Sequence, residues 1–258
     1  MKTINSDGTF LFDQVIFGPI NSRRLGKSLG VNLLPSQSKL CNFSCNYCEC
    51  GWSENKNKPT LPSAELVIET LISKLDNNQE IDYITLAGNG EPTTHPQFNK
   101  IVSQIIETRN RLAPETKISV LTNGTMLYKE SVKKALSAVD QVQIKLDTGL
   151  ESSFIRINRP SGGFSLDKLI KQINSLTFDF EIQSIFLDGN QDGISVGNSS
   201  DLEIRKWLKL IYSIYPSMVH IYTIDRETPQ KGLLKVSNQR LKSISDQVNK
   251  LGISAKYY

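Results

Sequence analysis

The sequence lacks any run of about 18 consecutive apolar residues, which is the length that a membrane-spanning helix needs. Its first residues, from Met1 to Asp7, contain no apolar core of the kind that an export signal carries. It also lacks low-complexity segments and tails of like charge. We therefore expect a globular protein that neither spans a membrane nor is exported.

Histidine is scarce, and two common catalytic motifs are absent. Only His95 and His220 occur, and their positions in a loop and in a strand favour ordinary hydrogen bonding over metal binding. The sequence contains no Ser–His–Asp set and no phosphate-binding Gly-x4-Gly-Lys loop. The net charge of +4 permits an anionic partner such as RNA without requiring one.

Cysteine is also scarce, but it is concentrated in one place. Three of the four cysteines, Cys41, Cys45 and Cys48, have the spacing Cys-x3-Cys-x2-Cys. Clustered cysteines in a chain without an export signal indicate metal ligands in a reducing cytoplasm. A structural zinc site needs four ligands. Three thiolates on a [4Fe–4S] cluster instead leave one iron open to a small molecule, so this count favours a reactive cluster.

The fourth cysteine, Cys50, stands two residues after Cys48. If it completed the ligand set, the site would be a four-thiolate electron-transfer cluster or a zinc site. We expect its side chain to point away from Cys48. Cys50 is then a small, partly buried thiol beside the cluster.

Strand and helix patterns alternate six times along the chain, which predicts a parallel sheet with right-handed crossovers. The predicted strands are Val31–Pro35, Asp82–Ala87, Ile118–Leu121, Gln141–Leu146, Phe180–Leu187 and Val219–Ile224. We predict helices after Ser63, over Phe98–Ile106, and over residues 130–138, 165–176, 201–215 and 238–251, followed by a short strand at Ile253–Ala255. Residues 53–59 and 190–200 are predicted as loops, the second one exposed at the active site. The pattern alone permits an open doubly wound sheet or a partial barrel.

The three cysteines, with Tyr47 before the last one, resemble the signature of the radical S-adenosylmethionine (radical SAM) enzymes. The resemblance implies a partial (β/α)6 barrel of TIM type, with parallel strands and outer helices. It also implies a [4Fe–4S] cluster whose open iron binds SAM and cleaves it to a 5′-deoxyadenosyl radical. That radical takes a hydrogen atom from a substrate that the sequence does not identify. A one-electron donor such as a flavodoxin is then required.

The segment Gly88-Asn89-Gly90-Glu91 resembles the family's Gly-Gly-Glu motif, which holds the amino group of SAM. Asn89 stands where the motif has its second glycine, and asparagine tolerates the left-handed φ that glycine supplies. The alternative is a tight turn with a solvated Glu91.

Further residues at the strand ends are expected near SAM on the same resemblance. Lys145 and Asp147 share one face of a strand, and they would reach the SAM carboxylate and ribose unless they form an internal ion pair. Gln183 reaches SAM or satisfies a partner in the core. The remaining candidates are Tyr47, Asn123, Tyr222 and Thr223.

Residues 18–26, the cysteine loop and residues 88–93 resemble a subgroup of the family related to the tRNA wyosine-base synthases. The substrate is then a small molecule, a peptide or a tRNA. Arg23 and Arg24 are either solvated charges or a clamp for a carboxylate or phosphate. No cysteine precedes Cys41, so we do not expect the second cluster that those synthases carry.

We expect one radical SAM domain over residues 1–258, with an N-terminal segment at 1–30, the barrel at about 31–225 and a C-terminal helix and strand at about 226–258. Two alternatives remain open. One is an iron–sulfur electron-transfer protein without SAM chemistry, and the other is a zinc-bearing binding module.

Overall fold

Strands and helices alternate throughout the chain, in a computed structural model that describes residues 2–5, 7–53, 60–76, 80–191 and 194–258. The strands are β1 (Lys2–Ile4), β2 (Phe10–Phe12), β3 (Ile16–Ser22), β4 (Gly26–Val31), β5 (Tyr83–Leu86), β6 (Lys117–Thr122), β7 (Gln141–Lys145), β8 (Glu181–Ile185), β9 (Leu187–Gln191), β10 (Ile194–Ser195), β11 (Met218–Tyr222), β12 (Leu233–Lys235) and β13 (Ala255–Tyr257). The helices are α1 (Ala64–Leu75), α2 (Phe98–Leu112), α3 (Glu130–Leu136), α4 (Glu151–Asn158), α5 (Leu166–Asn174), α6 (Asp201–Ile214) and α7 (Asn238–Lys250), with a short 3₁₀ helix at Pro92–Thr94.

The main sheet has eight strands in the order β13-β11-β8-β7-β6-β5-β4-β3. All neighbours pair in parallel except β3, which is antiparallel to β4. A doubly wound sheet reverses its strand order at a switch point, whereas these strands follow one another in chain order. Right-handed crossovers therefore place the helices on one face, and the sheet curls around the other. The predicted partial barrel is confirmed.

The two faces of the barrel sheet differ in polarity, as β7 illustrates. Val142 and Ile144 are buried in the apolar core, which also contains Leu169 of α5 and Trp207 of α6. Lys145 alternates with them and lines a central cavity. The face away from the helices is therefore the polar one.

Serines begin four of the helices, and a helix after the first of them, Ser63, was predicted from the sequence. The side chains of Ser63, Ser165, Ser200 and Ser237 each accept a hydrogen bond from the backbone N–H three residues later. Each serine thus satisfies one donor that the first turn leaves unpaired. Among the described residues, no helix has both the length and the apolar character needed to cross a membrane.

The prediction of the first barrel strand was wrong. The strand is Gly26–Val31, and the chain turns after it because the Asn32 side chain bonds the backbone of Leu34 at 3.0 and 3.2 Å. Two glycines weakened the strand signal. At Gly30 a Cβ would lie 2.2 Å from the ring of Phe17, so the antiparallel partner strand requires glycine there.

Other regions also differ from expectation. Helix α4 and the strands β1, β2, β3, β9, β10 and β12 were not predicted. The predicted exposed loop at 190–200 instead contains parts of β9 and β10, and residues 196–199 are buried. Residues 192–193 of that loop, and residues 54–59 of the predicted loop at 53–59, lie outside the described residues.

Candidate functional site

A cavity of about 530 Å³ lies at the carboxyl ends of the barrel strands. A parallel barrel gathers at this edge the residues that follow its strands, and the volume is typical of small-molecule sites. Twelve of the predicted site residues line the cavity, namely Cys41, Cys45, Tyr47, Cys48, Gly88, Gly90, Glu91, Asn123, Lys145, Gln183, Tyr222 and Thr223. The other two, Asn89 and Asp147, do not line it.

The cysteine loop is held by neighbouring segments on two sides. Leu40 forms a parallel bridge with Gly90, and Phe43 forms an antiparallel bridge with Pro160. The ring of Phe43 is buried and packs edge-on against Phe154, with centroids 5.4 Å apart. These contacts hold the loop whose three cysteines line the cavity.

N–H groups point at two of the three sulfurs. The N–H of Phe43 lies 3.4 Å from Cys41 Sγ, the Asn123 amide 3.7 Å from it, and the Asn158 amide 3.6 Å from Cys45 Sγ. Such donors favour the thiolate form. Burial acts in the opposite direction, because it raises the pKa of Cys41 to about 12 and also raises the pKa of Cys45. These thiols would therefore lose their protons when a metal binds them.

Lys39, which sequence reasoning missed, places a buried charge among the cysteines. It is 6% exposed, and its Nζ donates to the carbonyl of Gly51 at 2.8 Å. Burial alone would lower the pKa of Lys39, but the thiolate charges of Cys48, Cys41 and Cys45 outweigh it and raise the pKa. A buried ammonium group needs a counter-charge, and metal-bound thiolates would supply one.

The donor set therefore fits an iron–sulfur cluster. Three cysteines line one cavity, N–H groups face two of the sulfurs, and a buried cation lies beside them. No three His, Cys, Asp or Glu side chains in the described part of the chain meet at a point that one metal ion could occupy. A cluster does not need such a point, because each thiolate binds a different iron.

Cys50 is partly buried, as expected, but the expectation that its side chain points away from Cys48 was wrong, because the two thiols form a hydrogen bond. Side chains two residues apart share a face even in an extended chain. Here the chain also turns, with the N–H of Gly51 bonded to the carbonyl of Cys48 at 2.9 Å. The hydrogen bond from the Cys50 thiol lowers the pKa of Cys48. Cys50 also lines the cavity and lies 3.5 Å from the carbonyl of Gly88.

Gly88 and Gly90, in the turn after β5, must both be glycine because neighbouring atoms lie too close for a side chain. A Cβ on Gly90 would lie 1.9 Å from the carbonyl oxygen of Leu40, and one on Gly88 would lie 2.5 Å from Oδ1 of Asn32. Their φ values of 139° and 148° also disfavour any side chain. The turn therefore packs directly against the start of the cysteine loop.

Asn89 has a structural position that the motif did not indicate. Its φ is not positive, so the expectation that Asn89 replaces glycine because it tolerates a left-handed φ was wrong. Its amide donates to the carbonyls of Phe12 and Pro35 at 2.8 Å and accepts the N–H of Phe12 at 2.8 Å. The fully buried side chain thus fastens β2 and the segment after β4 to the turn.

Glu91 is only 2% exposed, so the alternative of a solvated carboxylate was wrong. Its Oε1 accepts from the N–H and hydroxyl of Thr93 at 3.1 and 2.5 Å and from the Thr122 hydroxyl at 2.7 Å. Its Oε2 accepts from the N–H of Asn123 at 2.7 Å. Burial raises the pKa of Glu91. The carboxylate links the ends of β5 and β6 and retains acceptor capacity on Oε2.

Lys145 and Asp147 form the internal pair that was the alternative to SAM contacts. The Lys145 Nζ lies 3.9 Å from Asp147 Oδ2 and donates to the Tyr47 hydroxyl at 2.8 Å. That hydroxyl in turn donates to Asp147, and the Asn158 amide donates to the same carboxylate at 2.7 Å. Asp147 therefore orients Tyr47 from outside the cavity, while Lys145 faces into it.

Gln183 lies on β8, and Tyr222 and Thr223 lie at the end of the neighbouring strand β11. Gln183 Oε1 accepts from Arg24 Nη1 at 3.2 Å and lies 3.5 Å from the Tyr222 hydroxyl. The hydroxyl of Thr223 accepts the N–H of Val236 at 2.9 Å. Gln183 therefore has partners within the protein, and it also lines the cavity.

Both histidines make ordinary hydrogen bonds. The ring of His95 bonds the carbonyl of Pro62 and the N–H of Gln97, each at 3.1 Å. The ring of His220 bonds Glu181 at 2.7 Å and the Tyr258 hydroxyl at 3.1 Å.

Comparison with known families decides which kind of protein uses this geometry. A family described as the radical SAM superfamily matches residues 37–177, more than half of the chain. The chain belongs to the radical SAM superfamily. Membership implies SAM and an iron–sulfur cluster as cofactors and a reductant to drive them.

Curated relatives support this assignment. A protein named GTPase Obg from Brachyspira hyodysenteriae is 31% identical over 90% of this chain, which corresponds to 32% of that protein. A UPF0026 protein from Helicobacter pylori is 32% identical over 84% of this chain and 68% of its own length. The chain thus spans about one third to two thirds of these relatives. This chain contains no Gly-x4-Gly-Lys loop.

Solved structures share the fold. A radical SAM methyltransferase from Sphaerobacter thermophilus matches all of this chain and 72% of its own length, with a TM-score of 0.67 and 13% identity. A structure of TYW1 with a lysine–pyruvate adduct matches 88% of this chain and 75% of its own length, with a TM-score of 0.63 and 16% identity. At these identities the likeness shows the fold alone.

Proposed function

We propose that the protein is a radical SAM enzyme that binds a [4Fe–4S] cluster on Cys41, Cys45 and Cys48. The observation that carries this proposal is that the three cysteines and the Gly88–Glu91 turn border a single cavity. When bound, the reduced cluster supplies an electron that cleaves SAM, and the resulting 5′-deoxyadenosyl radical takes a hydrogen atom from the substrate.

The residues around the cavity suit the parts of SAM. The spare acceptor capacity of Glu91 Oε2 would receive the amino group, and Lys145 would face the carboxylate. Tyr47, whose hydroxyl is held by Asp147 and Lys145, would flank the adenosine together with Tyr222 and Thr223. Asn123, Gln183 and the backbone of Gly88 and Gly90 complete the wall, while Asn89 keeps the turn in place.

The proposal extends to partners and location. A one-electron donor such as a flavodoxin would reduce the cluster in the cytoplasm. The substrate is a small molecule, a peptide or a tRNA. The tRNA option rests on the resemblance of residues 18–26 and 88–93 to the wyosine-base synthases.

The alternative is an iron–sulfur electron carrier, and the position of Cys50 in the cavity keeps it open. Anaerobic reconstitution with iron and sulfide, followed by SAM and dithionite, separates the two. We expect 5′-deoxyadenosine from wild-type protein and from Cys50→Ser, and neither cluster nor product from a folded Cys45→Ala. A wild-type protein that loads its cluster but forms no product, or a Cys50→Ser variant that loses the cluster, would favour the carrier.

A further inference from the structure

Arg24 is a half-buried cation in the cavity that the proposed SAM site does not use. It lies in the turn between β3 and β4, where the Ser22 hydroxyl accepts the N–H groups of Arg24 and Leu25 at 3.2 Å. The backbone of this turn is therefore held independently of the guanidinium group. The side chain reaches across the open side of the barrel to β7 and β8.

The guanidinium group is anchored through one nitrogen and one face only. Its Nη1 donates to the amide oxygens of Gln183 at 3.2 Å and Gln143 at 3.5 Å. Its Cζ lies 4.8 Å from the centroid of the Tyr222 ring. Nε and Nη2 make no hydrogen bond to any described residue. These two nitrogens form the edge that binds carboxylate or phosphate through two parallel hydrogen bonds.

Arg24 also lacks a counter-ion, which distinguishes it from its neighbours. Arg23 pairs with Asp225 at 3.5 Å, and Arg226 pairs with Glu49. Across the described ranges, no carboxylate forms an ion pair with Arg24. The carboxylate next in its network, Glu181, is already bonded to the ring of His220 at 2.7 Å.

A guanidinium group stays charged at every accessible pH, and a partly desolvated charge without a partner costs free energy. If the role of Arg24 were only to brace the barrel, its neutral amide partners would suffice and its outer edge would be unused. The free edge in a ligand-sized cavity instead suits an anionic ligand group. Gln143 and Gln183 fix its direction, and the stack on Tyr222 leaves the edge open.

We propose that Arg24 binds the carboxylate or phosphate of the substrate. This inference rests on the proposed function, since it assigns the substrate end of the same cavity. It defines the substrate as an anion held in the same cavity that the cysteines line. SAM also has a carboxylate, so the experiments must distinguish the two molecules.

The first experiment uses the wild-type, cluster-loaded protein and therefore does not depend on a variant folding. Phenylglyoxal modifies accessible arginines, and mass spectrometry follows the rate at each one. With SAM at saturation, we expect methyl phosphate or acetate to slow the modification of Arg24 several-fold and to leave the exposed Arg111 unaffected. The more effective probe identifies the head group. The proposal would be overturned if neither probe changed the rate of modification of Arg24. It would also be overturned if the probes protected Arg24 without SAM but not with SAM at saturation, because SAM would then occupy the same position.

The second experiment measures saturation transfer from the protein to the methyl protons of the same probes. In Arg24→Gln we expect at least about tenfold weaker binding, the loss of roughly one charge-assisted contact. The control variant Arg111→Gln, at an exposed position on α2, should bind as wild type. Unchanged binding in Arg24→Gln would refute the site. Formation of 5′-deoxyadenosine is scored on the same samples. SAM cleavage without probe binding refutes only this inference, whereas probe binding at Arg24 without SAM cleavage refutes the proposed function and supports the anion site.

Discussion

Replacing Glu91 with glutamine separates its structural role from its proposed contact with SAM. The carboxylate accepts four hydrogen bonds of 2.5–3.1 Å from Thr93, Thr122 and Asn123. Glutamine keeps the volume and the acceptor on the Oε1 side, but it turns an amide group toward the N–H of Asn123. A buried donor without an acceptor costs about 1–3 kcal/mol, so we expect the unfolding free energy to fall by about 2 kcal/mol.

The same substitution should also weaken SAM binding, independently of this loss of stability. A hydrogen bond to a charged group contributes about 1.5–3 kcal/mol, which predicts that the Kd for SAM rises about tenfold to a hundredfold in Glu91→Gln. Titration calorimetry on anaerobic, cluster-loaded protein measures the Kd, and urea unfolding measures stability. Glu107→Gln, at an exposed position on α2, is the matched control and should change neither. Wild-type SAM affinity in Glu91→Gln, at wild-type cluster content, would refute the role of the carboxylate.

Two further predictions concern stability. Asn89→Ala removes three buried side-chain hydrogen bonds to Phe12 and Pro35, so urea unfolding should show a loss of about 3 kcal/mol. Asn99→Ala, at an exposed position, should leave the unfolding free energy almost unchanged. An equal loss in Asn89→Ala and Asn99→Ala would contradict the reasoning. Burial raises the pKa of Glu181, but hydrogen bonds from His220 and Gln141 outweigh it and lower the pKa. Its stabilisation is therefore present above the unfolded pKa of about 4.3 and lost as pH falls through the lower folded value. Glu181→Gln should lose less unfolding free energy than wild type on acidification. If urea unfolding shows the same loss in both proteins as the pH falls, this prediction is contradicted.

The candidate site was predictable where it depends on local sequence. The spacing of Cys41, Cys45 and Cys48 places three thiols in one short loop, and glycine beside Glu91 marks the turn after β5. The serine caps and the strand–helix alternation also act over a few residues, so most helices and parallel strands could be located. Of the parallel barrel strands, β4 was misplaced, because its Gly30 is explained only by Phe17 on the partner strand β3.

Local sequence therefore determined the cysteine loop, the order of the barrel elements and the edge at which polar residues gather. Only the tertiary structure decided which of those residues face the cavity. Arg24 meets Gln183 across 159 residues of chain, and Asn89 meets Phe12 across 77. Such contacts depend on strand order and on the curvature of the sheet, which bring together side chains that no local pattern relates. The burial of Lys39 among the thiols has the same origin, since the charge is tolerated only where the folded chain supplies its partners.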